Sequence, residues 1–263
     1  MMNEDASIQV ETPLLQRVLA LLRERLGPDY FFERPGPLPW NGPVAGIEGL
    51  CTALITTGGL HDLGDPPFRA LEEPLGDTGF RIIPHLVKKE SLALDAPYVD
   101  QKYTPKDPEV ALPMAALEAA HQAGKSGAPA KRHFSLCGGV VRPYPGLKQS
   151  SEAIASMLRE DKVDAVVLLP TCSICIQTVC IVARELEARG FFTVALSLIP
   201  ELSRIVGAPR TLAVKFPFGA PCGDPDNKAL HQAILLEALK LLTELKEPGL
   251  IRTSMHSWRD AGL

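Results

Sequence analysis

From Ser150 onward the hydrophobic and polar positions fall into a regular alternation of short apolar runs and longer mixed stretches. The spacing predicts a helix over 151–159, a strand over 163–169, a helix over 173–189, a strand over 192–198, a helix over 201–206, a strand over 211–216 and a helix over 226–246. Strands that alternate with helices indicate βαβ units and a parallel sheet. The upstream part is less periodic. Pro13 to Leu26 reads as a helix, with Thr12 as N-cap and Gly27-Pro28 as stop signals. Its leucines cover most of its circumference, so it should pack against the body or a second subunit. Arg34 to Pro43 is too rich in Pro and Gly for regular structure and reads as an ordered, extended connector.

Cys51 to Thr57 is a β-branched, apolar run ending in Gly58-Gly59, which suits a buried strand feeding a loop that continues to Phe68. Phe80 to Pro84 resembles a further short strand, Ser91 to Asp107 has no clear period, and a helix is expected over 113–121. The expected architecture is α/β, with parallel-sheet, doubly wound (Rossmann-like) lobes and a cleft between them. The expected division is an N-terminal helix and connector over 1–43, a first lobe over 44–145 and a second lobe over 146–263.

Composition narrows the function classes. The chain has 263 residues, enough for one large or two small domains, and 46% hydrophobic residues can supply a core. Lys and Arg total 27 against 31 Asp and Glu, with no basic stripe to neutralise a phosphate backbone, so nucleic acid is not an expected partner. Met1 to Gln9 is polar and acidic, unlike a secretory signal, and no apolar run reaches the roughly 18 residues that span a bilayer. A cytoplasmic protein without membrane contact is expected, its six cysteines mostly reduced thiols. Only one close cysteine pair exists, so no metal site is expected.

The strongest chemical signal is Val163 to Pro170, a buried strand, followed at once by Thr171-Cys172-Ser173-Ile174-Cys175 and an apolar helix. In open parallel sheets ligands bind beyond the carboxyl ends of strands, and a thiol is delivered to that edge. A helix N-terminus presents unpaired N–H groups and partial positive charge, which favour thiolate over thiol. Cys172 is therefore the expected nucleophile. Cys175, one turn away, is close enough to attack a sulfur adduct and close a disulfide. The competing reading makes both cysteines small apolar core residues, which is the expectation for Cys180.

Two further loops follow strands. Thr56-Thr57-Gly58-Gly59-Leu60-His61 offers glycine amides to an anionic ligand, with His61 able to move a proton. Phe216 to Pro225, which contains Gly219 and Asp224, is expected beside the same site or, on the plainer reading, as a proline-rich turn capping a helix. Thr57, Gly58, Gly59, Thr171, Ser173, Gly219 and Asp224 form the expected substrate-binding set.

These residues resemble a known family, the B-type catalytic subunits of glycine, sarcosine and betaine reductase and of D-proline reductase (selenoprotein B-like). The matching pieces are Pro39-Trp40, Ala53 to His61, Asp65 to Phe68, Val163 to Cys175, Ile199-Pro200, Val206-Gly-Ala208 and the Phe216 to Pro225 loop. Family members typically carry selenocysteine where this chain has Cys172. The resemblance implies a thiolate that attacks the carbon alpha to a carboxylate and displaces nitrogen, while a pyruvoyl group on a partner subunit activates the amine as an iminium. It also implies an amino-acid-like substrate, Cys175 as resolving thiol and a thioredoxin-like reductant. No cofactor is expected on this chain alone, and a homo-oligomer is expected.

Sulfur in place of selenium is the poorer nucleophile and leaving group, which throws more weight on the helix N-terminus. Two other function classes compete. A cofactor-free cysteine racemase or isomerase needs a second thiol opposite Cys172, for which only Cys51 or Cys137 are candidates. Cys51 begins its strand and so points to the wrong edge. A non-catalytic partner subunit would simply bury its cysteines.

Overall fold

A computed structural model describes residues 12–97 and 100–258; the acidic stretch Met1 to Gln9 lies outside the described residues. Helix α1 (Pro13–Leu26) starts as expected, with Thr12 Oγ1 accepting from the Leu15 amide, and Gly27 ends it at φ 108°. The remaining elements form one layered α/β unit. Strand β1 (Thr52–Thr56) is the third strand of a seven-stranded sheet, with β5 (Arg132–Leu136) on one side and the central β6 (Ala165–Leu169) on the other. Beyond β6 follow β7 (Phe192–Ser197), β8 (Arg210–Ala213) and β9 (Leu250–Thr253), and β3 (Phe80–Pro84) closes the other edge. Every pairing is parallel except that of β3 with β5. A separate antiparallel ladder joins β2 (Leu60–Asp62) and β4 (Leu92–Leu94).

The sheet is doubly wound. Along β1, Ala53 and Ile55 enter one core and Leu54 the other, the period-2 alternation of a strand buried on both faces. Helices α1, α3 (Gly146–Glu160), α4 (Ser173–Glu187) and α5 (Pro200–Val206) cover the first face. Helices α2 (Met114–Gln122) and α6 (Lys228–Glu244) cover the second.

The expected pair of lobes is corrected to one sheet. Strand β1 from the 44–145 stretch and β6 from the 146–263 stretch are neighbours over five residue pairs, Thr52 to Thr56 against Ala165 to Leu169. A buried parallel strand needs partners on both sides, and β1 takes one from each half of the chain. The elements missed in the sequence were the weakly patterned ones. Strand β5 alternates polar and apolar residues, yet His133 and Ser135 are fully buried. Strand β9 is a short edge strand, and the three-residue β2 and β4 are too short to show a period.

His133 explains its own burial. Its Nδ1 accepts from the Leu54 amide at 3.0 Å, standing in for a ladder carbonyl, so the proton sits on Nε2 and is donated to His85 Nδ1 at 2.9 Å. His85 Nε2 in turn faces Glu118 Oε2 at 3.2 Å. Burial, with a smaller contribution from neighbouring His85, lowers the His133 pKa to about 3.

The proline-rich connector is tied down by charge. A segment with many prolines has more carbonyl acceptors than N–H donors. Arg184 on α4 donates to the carbonyls of Pro35, Gly36 and Pro37. Arg210 Nη1 meets Glu187 Oε1 at 3.0 Å with both side chains fully buried, Nη2 donates to the Gly42 carbonyl, and the guanidinium carbon lies 4.0 Å over the Trp40 ring. Glu187 also accepts from the amides of Asn41 and Thr193.

Arg210→Met should cost about 3–5 kcal/mol in urea unfolding, because it leaves the Glu187 carboxylate buried without its cation. The double change Arg210→Met with Glu187→Leu should lose less than the single one. For His133 the sign is set by a folded-state pKa below the unfolded value of about 6.5: the unfolded chain binds the proton that the folded one refuses. Stability should therefore fall as pH drops below about 6.5, by up to about 1.4 kcal/mol per pH unit from this residue. Unfolding curves of His133→Gln between pH 7 and 4.5 should be flatter than those of the parent protein.

Candidate active site

The chain leaves β1 for β5 on one side, then returns to β6 on the other, so the crevice at the carboxyl ends of β1 and β6 is a topological switch point, where open α/β sheets bind ligands. The two strand ends are clasped there. The Thr57 amide donates to the Leu169 carbonyl at 3.1 Å. The Thr171 amide donates to Thr57 Oγ1, and Thr171 Oγ1 donates to the Thr57 carbonyl, each at 3.1 Å. Gly219 joins from the third loop, its amide donating to the Thr171 carbonyl at 2.7 Å. Two of the glycines are required by space as well as conformation. A Cβ on Gly59 (φ 67°) would lie 2.6 Å from the Asp95 carbonyl oxygen, and one on Gly219 (φ 86°) 2.7 Å from that of Asp100.

Immediately after this clasp, Cys172 is the N-cap of α4, with extended backbone, and its Sγ accepts from the Cys175 amide at 3.1 Å. The two cysteines are joined as a disulfide, with Cα atoms 4.9 Å apart. They differ in access. Cys175 is wholly buried, 3.7 Å from Thr171 Oγ1, whereas Cys172 is 7% exposed. Cys172 and Ser173 line a cavity of about 750 Å³, walled by α1, by residues 71–74 and by residues 139–141. First-turn amides of a helix have no intrahelical acceptor, and those of α4 begin at this cavity. The other four thiols are suppressed. Burial pushes Cys137 and Cys180 up to about 12 and Cys222 well above the usual range, and burial with nearby Asp164 raises Cys51.

Several expected roles are corrected by geometry. The glycine amides do not offer an open anion cradle: that of Gly58 donates to Thr56 Oγ1 at 3.1 Å and that of Gly59 to the Leu136 carbonyl at 3.0 Å. His61 is on the expected edge, but it does not line the Cys172 cavity. Its Nδ1 faces the Asp62 carbonyl at 2.8 Å and its Nε2 lies 2.7 Å from Asp95 Oδ2, so both nitrogens are already engaged. Asp224 belongs to the turn before α6, where its carboxylate accepts from Asn227 and its carbonyl from His231. Cys137 points its thiol at the Asp95 carbonyl rather than at Cys172, and Cys51 lies at the amino end of β1 beside Asp161 and Asp164. No thiol therefore opposes Cys172 as a racemase would need.

Asp95 was missed in the sequence. It sits in the aperiodic 91–107 stretch, yet it joins His61, the Phe68 amide, the Cys137 thiol and the Gly59 carbonyl, and the next residue, Ala96, packs on Cys172 and Cys175. No local pattern announces a residue whose partners come from three other segments. Among the described residues no group of three or more His, Cys, Asp or Glu side chains is arranged to hold a metal ion, and no helix is long and apolar enough to cross a membrane.

The chain is 29% identical over 217 residues to the D-proline reductase subunit gamma of Acetoanaerobium sticklandii, covering 82% of this chain and 87% of that protein. It is 28% identical to the glycine reductase complex component B subunit gamma of Carboxydothermus hydrogenoformans, over 85% of this chain and 53% of the relative. It is 24% identical to the betaine reductase complex component B subunit beta of Peptoclostridium acidaminophilum, over 80% of this chain and 50% of the relative. The chain thus spans about half the length of these glycine and betaine reductase relatives. No family model matches it, and no solved structure matches it.

With four thiols suppressed, iodoacetamide at pH 7 should label the disulfide form hardly at all. After mild reduction by a dithiol, peptide mapping should find the first label on Cys172. Faster labelling of Cys51 or Cys222 would show that the reactive sulfur lies elsewhere.

Proposed function

We propose that this chain, which belongs to the family of glycine, betaine and D-proline reductase subunits, is the thiol-bearing subunit of a reductase that cleaves a carbon–nitrogen, or other carbon–heteroatom, bond alpha to a carboxylate. The observation that carries this reading is the unequal cysteine pair at the switch point, one sulfur lining a cavity and its bonded partner wholly buried behind it.

In the reduced form the Cys172 thiolate, held at the N-terminus of α4, attacks the alpha carbon. A C–S bond forms, the C–N bond breaks, and its electron pair leaves with the nitrogen, which takes a proton. The Cys175 thiolate then attacks the Cys172 sulfur. An S–S bond forms, the C–S pair passes to carbon, and that carbon takes a proton from water. The substrate has gained two electrons and the cysteine pair has lost two, so an external dithiol, such as a thioredoxin-like protein, must restore the thiols.

An unactivated amine is a poor leaving group, and a carbonyl (pyruvoyl) group carried by a partner subunit would supply the activation. The fit is one of access: Leu21 and Leu71 at the cavity are 56% and 79% exposed, which leaves Cys172 approachable by a group on another chain. His61 acts as a positioning residue, through Asp95 and the adjoining Ala96 that packs on both sulfurs.

The test is turnover of D-proline, glycine and betaine by the reduced chain, alone and with a pyruvoyl-containing subunit. The chain alone should be slow and the pair active. Cys172→Ser should abolish turnover, and Cys175→Ser should trap substrate mass on Cys172. Undiminished activity in Cys172→Ser would refute the thiol mechanism; rapid turnover by the chain alone would refute the need for a partner.

A further inference from the structure

We propose that Arg25, on α1, anchors the substrate carboxylate in the Cys172 cavity, and that the cavity favours carboxylates with a compact apolar body over glycine. The inference rests on the reading of Cys172 as the attacking sulfur. With both glycine amides of the 58–59 turn already bonded within the protein, an anionic substrate has no receptor there. The cavity itself supplies one. Its charged lining residues are Arg25 and Glu73. Glu73 is paired with Arg69 at 3.3 Å. Arg25 has no hydrogen-bond or ion-pair partner among the described residues.

Its neighbour Arg23 shows the contrast: Nε donates to the Tyr30 carbonyl at 3.1 Å, and the guanidinium lies 4.4 Å over the Phe31 ring, so that arginine serves the fold. A planar guanidinium without a partner, in the cavity that exposes a nucleophilic sulfur, matches a carboxylate in charge and shape. The walls between them are apolar, formed by Val18, Leu22, Val141 and Ile174. Each CH₂ buried on such a wall adds about a factor of four in affinity, so a ring or branched body gains where glycine cannot.

The experiment compares two alkylating reagents of nearly equal size on the reduced protein: iodoacetate, which carries a carboxylate, and iodoacetamide, which does not. The iodoacetate-to-iodoacetamide rate ratio at Cys172 should fall roughly tenfold in Arg25→Gln, with the iodoacetamide rate unchanged. Arg25→Lys should keep part of the preference, and Arg17→Gln, on the same helix but outside the cavity, should keep all of it. Cyclopentanecarboxylate should protect Cys172 from iodoacetamide at lower concentration than acetate does, and Arg25→Gln should remove that protection. An unchanged ratio in Arg25→Gln overturns the anchor and leaves the thiol reading standing. A Cys172 inert to both reagents after reduction overturns the thiol reading, and the anchor with it. Equal protection by acetate and cyclopentanecarboxylate overturns the preference for an apolar body.

Discussion

Thr57 and Thr171 exchange hydrogen bonds across the carboxyl ends of β1 and β6, and the position of every other group at the site follows from that clasp. The ladder between these strands ends at Thr56 and Leu169, where a parallel sheet would ordinarily splay into two independent loops. Instead each threonine serves the backbone of the other, so the turn into α4 is held against the turn out of β1. Cys172 follows Thr171 directly, and Cys175 lies one helical turn on, within reach of the Thr171 hydroxyl. Buried hydroxyls satisfied in this way fix a loop more firmly than apolar packing does, since slipping either strand would strand polar groups away from water.

The same helix is secured at its far end by ionic contacts. Helix α4 is buried on nearly all sides, which an amphipathic helix could not tolerate. What lies over its outer face is the proline-rich connector, a segment with surplus carbonyls. Arg184 and Arg210 supply the missing donors, and Glu187 balances Arg210 in full burial. A buried ion pair is weak evidence for stability in general. Here it has a definite task, because it seats the connector, β7 and β8 on one helix and holds that helix, with its cysteines, at a fixed height above the sheet.

Between these two anchorages the cysteine pair is asymmetric for a geometric reason. An N-cap side chain points back along the helix toward the strand end, whereas a residue one turn later on the inward face points into the core. Cys172 thus lines the cavity, and Cys175 is sealed beneath Ala96 and Thr171. Most of the rest of the cavity lining comes from α1 and from residues 71–74 and 139–141, so the elements that complete the cavity are remote in sequence from those that carry the sulfur.

The sequence by itself determined whatever depends on local chemistry. The period-2 strands, the helix from Thr12 to Gly27, the delivery of Cys172 to a helix N-terminus and the kinship carried by Ala53 to His61 and Val163 to Cys175 could all be read from neighbouring residues. Tertiary structure decided whatever depends on which strands become neighbours. Pairing of β1 with β6 merged two expected lobes into one sheet. Neighbouring β5 gave the Gly59 amide the Leu136 carbonyl as its partner, the 91–95 stretch brought Asp95 to His61, and the packing of α1 set Arg25 in the same cavity as a cysteine 147 positions away in the chain. The physical reason is that hydrogen-bond donors and acceptors are allotted across the whole sheet: an amide that looks free in its own loop is free only if no distant carbonyl reaches it, and sequence spacing carries no information about that distance.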